Sequence, residues 1–422
     1  MIQRMRKPVT AILHYSAPPV IGGVEAVIQA QVETFLEEGF PVTVIAGRGS
    51  QEALPPGAKL VLIPEVDSLN EQILTLNEQL ERGSIPPEFE QVTRSLEAQL
   101  APVLEQVDVT IIHNIFTKHF NLALTAALDR LIAAGVLKRP IAWCHDISWT
   151  SPNSRSKVFP GFPWDLLRIY QPKITYVVVS RERQASLAKL LGITLEEILV
   201  IYNGVDPKAL LGLSTEGAAL VDRLGLLESD LNLLMPVRVT RAKNIEYALQ
   251  VLKALVALAN NTKMVLTGPP DPHEPESMDY FRSLKDLRHK LGLNENFYFV
   301  FDSGPDPDQP YIIDLRVVGD LYRVSDVTFM PSLREGFGMP VVESGLAGIH
   351  TVATDIPAVR EIGKQDVTLI SAEEDPEEVA ARILAWTSGS QAHRLKVRVR
   401  QDFTWKAIFR REIEPLLMSL ED

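Results

Sequence analysis

The sequence predicts an α/β protein made of two doubly wound parallel-sheet domains. Three observations lead there. Short apolar strands alternate with amphipathic helices through both halves of the 422 residues, the pattern that buries a parallel sheet between helical layers. The alternation lapses at Asn203-Gly204-Val205-Asp206-Pro207, which is turn chemistry, and no strong periodicity returns until Leu233, so the hinge between domains falls there. Late in the chain an apolar strand, Val327-Thr328-Phe329-Met330, breaks at Pro331 and passes through Gly336-Phe337-Gly338 into an apolar helix toward Gly348. Such a joint aims backbone N–H groups and a positive helix end at whatever lies above it, which suits a phosphate or a sugar hydroxyl. Glu335 and Glu343 frame it. With a helix beginning between Gly336 and Gly338, Glu343 falls about two turns in.

Taken in order, Val9 to Tyr15 reads as a strand, followed by a Gly22-Gly23 loop and a helix with Val24, Val27, Ile28, Val32, Phe35 and Leu36 on one face. Val42 to Ala46 and Lys59 to Ile63 are the next strands. Ile73, Leu76, Leu80 and then Leu96, Leu100, Leu104 mark two polar helices split at Ile85-Pro86-Pro87. Alternation resumes with strands at Val109 to His113, Ile141 to Cys144, Ile174 to Ser180 and Ile198 to Ile201, and with helices from Leu122 to Ala134 and from Arg181 to Leu191. Ser148 to Trp164 is aperiodic and rich in Ser, Pro, Gly and aromatics, a length that in a compact domain points to a working loop. The second half gives strands at Leu233 to Val239, Met264 to Thr267, Phe297 to Phe301, Val327 to Met330, Thr351 to Ala353 and Val367 to Ile370. Its helices are Ile245 to Leu258, Met278 to Leu291, Leu315 to Val324 and one capped by Asp375 with Pro376 behind it. An amphipathic segment from Trp405 to Leu420 closes the chain, and its periodicity alone does not say which domain it covers.

A hydrophobic share of 46% supports two cores in a globular chain. The net charge of −12 argues against a nucleic-acid binder and against broad adsorption to anionic lipid. The single cysteine, Cys144, forms no internal disulfide and fits a reducing compartment. The Arg4, Arg6, Lys7 cluster precedes an apolar run that ends as a strand, so no secretion signal is read. The expected location is the cytoplasm, with membrane association not indicated.

These residues resemble the retaining glycosyltransferases of family 4. The resemblance rests on Glu335-Gly336-Phe337-Gly338-Met339-Pro340-Val341-Val342-Glu343, Ile201-Tyr202-Asn203-Gly204-Val205-Asp206, Arg238 with Lys243, Gly22-Gly23-Val24-Glu25 and Phe403-Thr404-Trp405. Each is weak alone; their order and spacing together are specific. The resemblance implies the GT-B architecture, two facing Rossmann-like domains with a central cleft. Residues 1–205 would form the acceptor-side domain, with 404–422 crossing back onto it, and residues 206–403 the donor domain.

It also implies roles. Arg238 and Lys243 match the Arg-x4-Lys motif that meets the donor diphosphate without a metal, which is the task of fixed positive charge at a departing anion. Relatives carry a small residue before the arginine; this chain has Val237. Glu343 matches the carboxylate that accepts from the ribose hydroxyls, and Glu335 the one beside the donor sugar, with Gly336, Phe337, Gly338 and Met339 along sugar and phosphate. Gly22 and Gly23 correspond to the loop approaching the diphosphate, where glycine permits close backbone contact. His145 corresponds to the histidine near the donor sugar and Asn203 to a hinge or cleft residue, while His113, Lys118 and His119 would shape the acceptor pocket. No cofactor and no metal are expected. The expected substrates are a nucleotide-diphosphate sugar and a hydroxyl acceptor, a soluble sugar or polyol over a lipid. The rivals are a GT-B phosphorylase or epimerase, for which no pyridoxal lysine motif is seen, and a binding or scaffold protein without turnover.

Overall fold

The computed structural model describes residues 6–419; Arg4 of the basic cluster and the expected helix end at Leu420 lie outside the described residues. The chain divides into two compact units, one running to Gly204 and taken up again from Trp405, the other Val205–Thr404.

The first unit holds seven parallel strands, β1 (Thr10–Leu13), β2 (Val42–Ala46), β3 (Lys59–Leu62), β4 (Val109–His113), β5 (Pro140–Cys144), β6 (Thr175–Val178) and β7 (Ile198–Val200), in the order β3-β2-β1-β4-β5-β6-β7. Strand alternation sorts the side chains between two cores. Leu13, Ile112, Ala142 and Cys144 face the layer containing Leu96, Leu100 and Leu128, while Ile12, Ile111 and Trp143 face the layer built on Ile28, Val32 and Phe35. Strand order reverses between β1 and β4, and the crevice beyond the carboxyl ends at such a switch point is where ligands bind in open α/β sheets.

The second unit holds six parallel strands, β8 (Leu231–Met235), β9 (Thr262–Leu266), β10 (Phe297–Phe299), β11 (Val327–Met330), β12 (His350–Thr354) and β13 (Thr368–Ile370), ordered β10-β9-β8-β11-β12-β13. Its switch point lies between β8 and β11. Leu233 and Met264 pack on one layer and Leu234 and Val265 on the other.

Several expectations are corrected. β8 stops at Met235 because Pro236 has no N–H for the ladder, and it starts two residues earlier than apolar pattern suggested. Asn232 tolerates burial there because its amide donates to Leu226 O at 2.7 Å and its oxygen accepts from Ser229 at 2.6 Å. The stretch before Leu233 contains a helix, Thr215–Leu224, capped by Ser214 and buried through Leu220, Val221 and Leu224. A further helix, Gln391–Asp402, went unread because it is polar nearly all round. Ionic contacts hold it: Arg400 and Lys396 reach the buried Asp326 at 2.9 and 3.0 Å.

Packing pins the stretch Ser148 to Trp164 at a few positions and leaves others, Asn153 and Phe162 among them, exposed. Trp149, Val158 and Trp164 are buried in the first core, and the Arg155 and Arg168 guanidinium groups lie over the Trp149 ring at 4.7 and 4.3 Å. The terminal helix is interrupted by a π turn at Phe409–Ile413 between Trp405–Ile408 and Glu414–Met418. Pro415 cannot donate to the carbonyl four residues earlier, and the wider turn accommodates it. This segment packs on the first unit, with Phe409 edge-on to Phe35 and Phe40 at 5.1 and 5.2 Å.

Candidate functional site

In the second unit, the loops leaving the two switch-point strands meet. After β8 the chain carries Arg238 through a loop and Lys243 through a short 3-10 turn, Arg241–Lys243, into the helix Ile245–Leu258. The loop after β9 presses against it: Val239 N donates to Pro269 O at 3.0 Å. A Cβ on Gly268 would lie 2.5 Å from Val237 O and 2.8 Å from Arg238 Cα, backbone atoms that cannot yield, so only glycine fits. Val237, in place of a small residue, is buried in the core of this unit. Leu333 N donates to Ala242 O at 2.8 Å and ties the loop after β11 to the lysine turn.

That tie brings together two residues read separately from the sequence. Lys243 Nζ lies 2.6 Å from Glu335 Oε1, with side chains 19% and 10% exposed. In so dry a setting the pair is strong, and removing either partner would strand the other. Arg238 stands differently: its side chain is 59% exposed, and its nearest carboxylate oxygen, on Asp271, is 4.0 Å away. Its charge is available to an arriving anion and is screened by water until one arrives.

Gly338, at φ +94°, turns the backbone in the left-handed region where glycine is favoured and so opens the helix Met339–Ala347. The helix therefore starts later than expected, and Glu343 is its fifth residue, a little over one turn in. Glu343 Oε2 accepts from the Tyr322 hydroxyl at 2.7 Å. Burial and this carboxylate both push the phenol well above its ordinary range, so Tyr322 remains a donor that fixes Glu343. Phe337 and Met339 are exposed beside it.

In the first unit, the carboxyl ends of β1, β4 and β5 bring three histidines into one chain of contacts. His145 follows β5, and its N–H donates to Asn114 Oδ1 at 2.8 Å. Its Nε2 lies 3.0 Å from His113 Nδ1, and His113 Nε2 lies 3.0 Å from Gln31 Oε1. His14 Nδ1 donates to the carbonyl of His113 at 3.0 Å, and its Nε2 is 3.9 Å from Glu25, which accepts from Ser16 at 2.6 Å. Burial, then the neighbouring imidazoles, hold His113 well below the usual histidine range. Burial, then His14, bring His145 down to about 4. Both rings are therefore neutral near pH 7.

Other sequence-predicted residues take plainer places. Gly22 is extended at φ −169° as the cap of the first helix, and a Cβ on Gly23 would meet nothing within 4 Å, so sterics do not demand glycine at Gly23. His119 is a latch: its Nδ1 is 2.8 Å from Ser148 Oγ and its Nε2 3.5 Å from Glu81. Lys118 is buried with its ammonium over the Phe120 ring at 4.5 Å. Asn203 is exposed just before the chain leaves the first unit. Sequence reasoning missed His14, Gln31 and Tyr322. His14 follows directly after β1, which ends at Leu13, and reading the strand through to Tyr15 hid it; Gln31 lies among apolar helix positions and gave no signal. Among the described residues, no three His, Cys, Asp or Glu side chains converge to hold a metal, and no helix is long and apolar enough to cross a membrane.

Comparison with known proteins assigns these two units. The Glycosyltransferase Family 4 profile matches residues 21–209 and the profile for Glycosyl transferases group 1 matches residues 220–402. An uncharacterized glycosyltransferase of Methanocaldococcus jannaschii is 27% identical over 194 residues, 45% of each chain. Mannosylglucosylglycerate synthase of Petrotoga mobilis is 23% identical across 72% of this chain and 73% of its own. Sucrose-phosphate synthase of Thermosynechococcus elongatus superposes at a TM-score of 0.39 with 16% identity, covering 98% of this chain and 100% of that one. The two profile matches take in nearly the whole chain, one on each sheet, and the chain belongs to the family 4 glycosyltransferases.

Proposed function

We propose that the chain is a retaining glycosyltransferase that moves a hexose from a nucleotide-diphosphate sugar to a hydroxyl acceptor by metal-independent front-side displacement. The observation that carries this reading is the Lys243–Glu335 pair at the switch point of the second sheet. An ammonium has three N–H donors; with one engaged by Glu335, Lys243 can bridge that carboxylate and a phosphate oxygen. Arg238 adds a second charge to the same anion.

In this reaction the C1–O bond to the diphosphate breaks and a C1–O bond to the acceptor forms on the same face. The acceptor proton passes to the departing phosphate oxygen. Arg238 and Lys243 offset the charge that grows on the leaving group, and Glu335 supports the electron-poor sugar beside it. Glu343, held by Tyr322, accepts from paired ribose hydroxyls. His145 bonds a hydroxyl of the donor sugar, and Gly22 and Gly23 lie along the diphosphate. The Petrotoga relative, named for a glycosylated glycerate product, favours a small polyhydroxylated acceptor over a lipid, and catalysis belongs in the cytoplasm.

The test is transfer from a panel of UDP- and GDP-sugars in excess EDTA, with the product anomer read by proton NMR. Retention of the donor configuration with undiminished rate is expected. Inversion, or complete loss with EDTA, contradicts the mechanism; donor binding without transfer to any acceptor contradicts the activity.

A further inference from the structure

Gln31 is fully buried on the first helix, between Ile28 and Val32 of the apolar layer. An amide in such a place costs free energy unless its polar atoms are met. Gln31 satisfies one of them by placing Oε1 3.0 Å from His113 Nε2, while its Nε2 has no hydrogen-bond partner among the described residues. One orphaned group is tolerated so that the other can face His113, and an unmet buried group of this kind calls for a reason beyond packing.

The reason follows from which atoms along the chain can donate and which can only accept. The amide oxygen can only accept, so His113 carries its proton on Nε2 and leaves Nδ1 as a lone pair. That lone pair faces His145 Nε2 at 3.0 Å, so His145 must carry its own proton on Nε2. Its Nδ1 is then the acceptor, on a ring that is partly open to solvent. The backbone of His145 is anchored independently by Asn114, so both the placement and the protonation pattern of the ring are set from within this unit. Burial keeps His113 and His145 neutral, as described above, so the pattern persists at neutral pH.

We infer that Gln31 and His113 are positioning residues for the transfer reaction, locking His145 in its Nε2–H tautomer so that Nδ1 accepts from a hydroxyl of the donor sugar. This rests on the reading of His145 as a donor-sugar contact. The orienting partner of a ligand-bearing imidazole decides its tautomer by the same logic in other sites.

The protein labelled with 15N-histidine, which has 8 histidines, tests this by long-range proton–nitrogen correlation, with His145 assigned from His145→Ala. The wild type is expected to show His145 protonated at Nε2, and Gln31→Leu to turn it into a tautomer mixture. Gln31→Met, closer in shape, does the same if the leucine variant folds poorly. Donor kcat/KM falls about tenfold in either variant and falls no further when His145→Ala is already present. A wild-type His145 protonated at Nδ1, or a tautomer unmoved by both substitutions, overturns the relay. If the tautomer is as inferred but His145→Ala transfers at the wild-type rate, the positioning role is overturned. If no donor is turned over at all, the transfer reading fails while the tautomer measurement still decides the relay.

Discussion

Lys243→Met is expected to lower kcat/KM for transfer by about 10²–10³-fold, the usual loss when one preorganised donor to a developing anion is removed. It is also expected to destabilise the fold, because the Glu335 side chain, only 10% exposed, would keep its charge without the ammonium 2.6 Å away. The two effects separate in the double variant Lys243→Met with Glu335→Gln. Neutralising the stranded carboxylate restores stability in urea unfolding, while transfer stays lost. A pair that serves the fold alone would regain activity along with stability. Non-additivity of the single and double variants measures the coupling, since the two residues touch. Glu335→Gln by itself lowers turnover with donor affinity little changed, if the carboxylate acts on the electron-poor sugar.

The largest stability effect is expected at Asp326, at the amino end of β11, the opposite end of the strand from the loop that carries Glu335. Its carboxylate is completely buried, with Arg400 at 2.9 Å, Lys396 at 3.0 Å and His393 at 3.7 Å, and it accepts from Asn232 N at 2.9 Å. Asp326→Ala strands the Arg400 guanidinium, whose side chain is 4% exposed, and is expected to cost about 3–5 kcal/mol. Burial alone would raise the Asp326 carboxyl, but the nearby His393 ring and the Arg400 and Lys396 charges overcome it and hold it well below the ordinary value. A depressed carboxyl contributes stability above its unfolded value, about 3.9, and loses it as pH falls through the folded one. The wild type should therefore lose stability more steeply than Asp326→Asn as the pH falls below about 4. Parallel curves for the two proteins would show that the cluster does not hold the helix Gln391–Asp402 in place.

This cluster also explains what the sequence could and could not show. Strands such as Val42–Ala46 and Val327–Met330 and helices such as Ile245–Leu258 were legible to the residue because each buries a continuous apolar face. Gln391–Asp402 was not, since its inward contacts are charges, which carry no apolar period. Thr215–Leu224 had a readable signature in Ser214 before it and Gly225 after it, and was lost to a hinge drawn too wide. The site divides in the same way. Arg238, Lys243, Glu335 and Glu343 stand in motifs, so their types and spacing could be read. The contact between Lys243 and Glu335, 92 residues apart, arises from strand order and became visible only with the fold. Tyr322 behind Glu343 and Gln31 behind His113 occupy positions where an apolar residue would have been unremarkable, so their partners alone reveal them.

In the proposed function the loops at the β8 and β11 ends hold a nucleotide-sugar diphosphate through Arg238 and Lys243. Calorimetric titration of UDP- and GDP-sugars, with EDTA present, into the wild type and into Arg238→Ala and Lys243→Met tests it most directly. Saturable one-site binding is expected for at least one donor, weakened about tenfold or more by each substitution, a loss of about 1.4 kcal/mol or greater. Binding that is unchanged by either substitution, or no binding of any nucleotide sugar to the folded wild type, would contradict it.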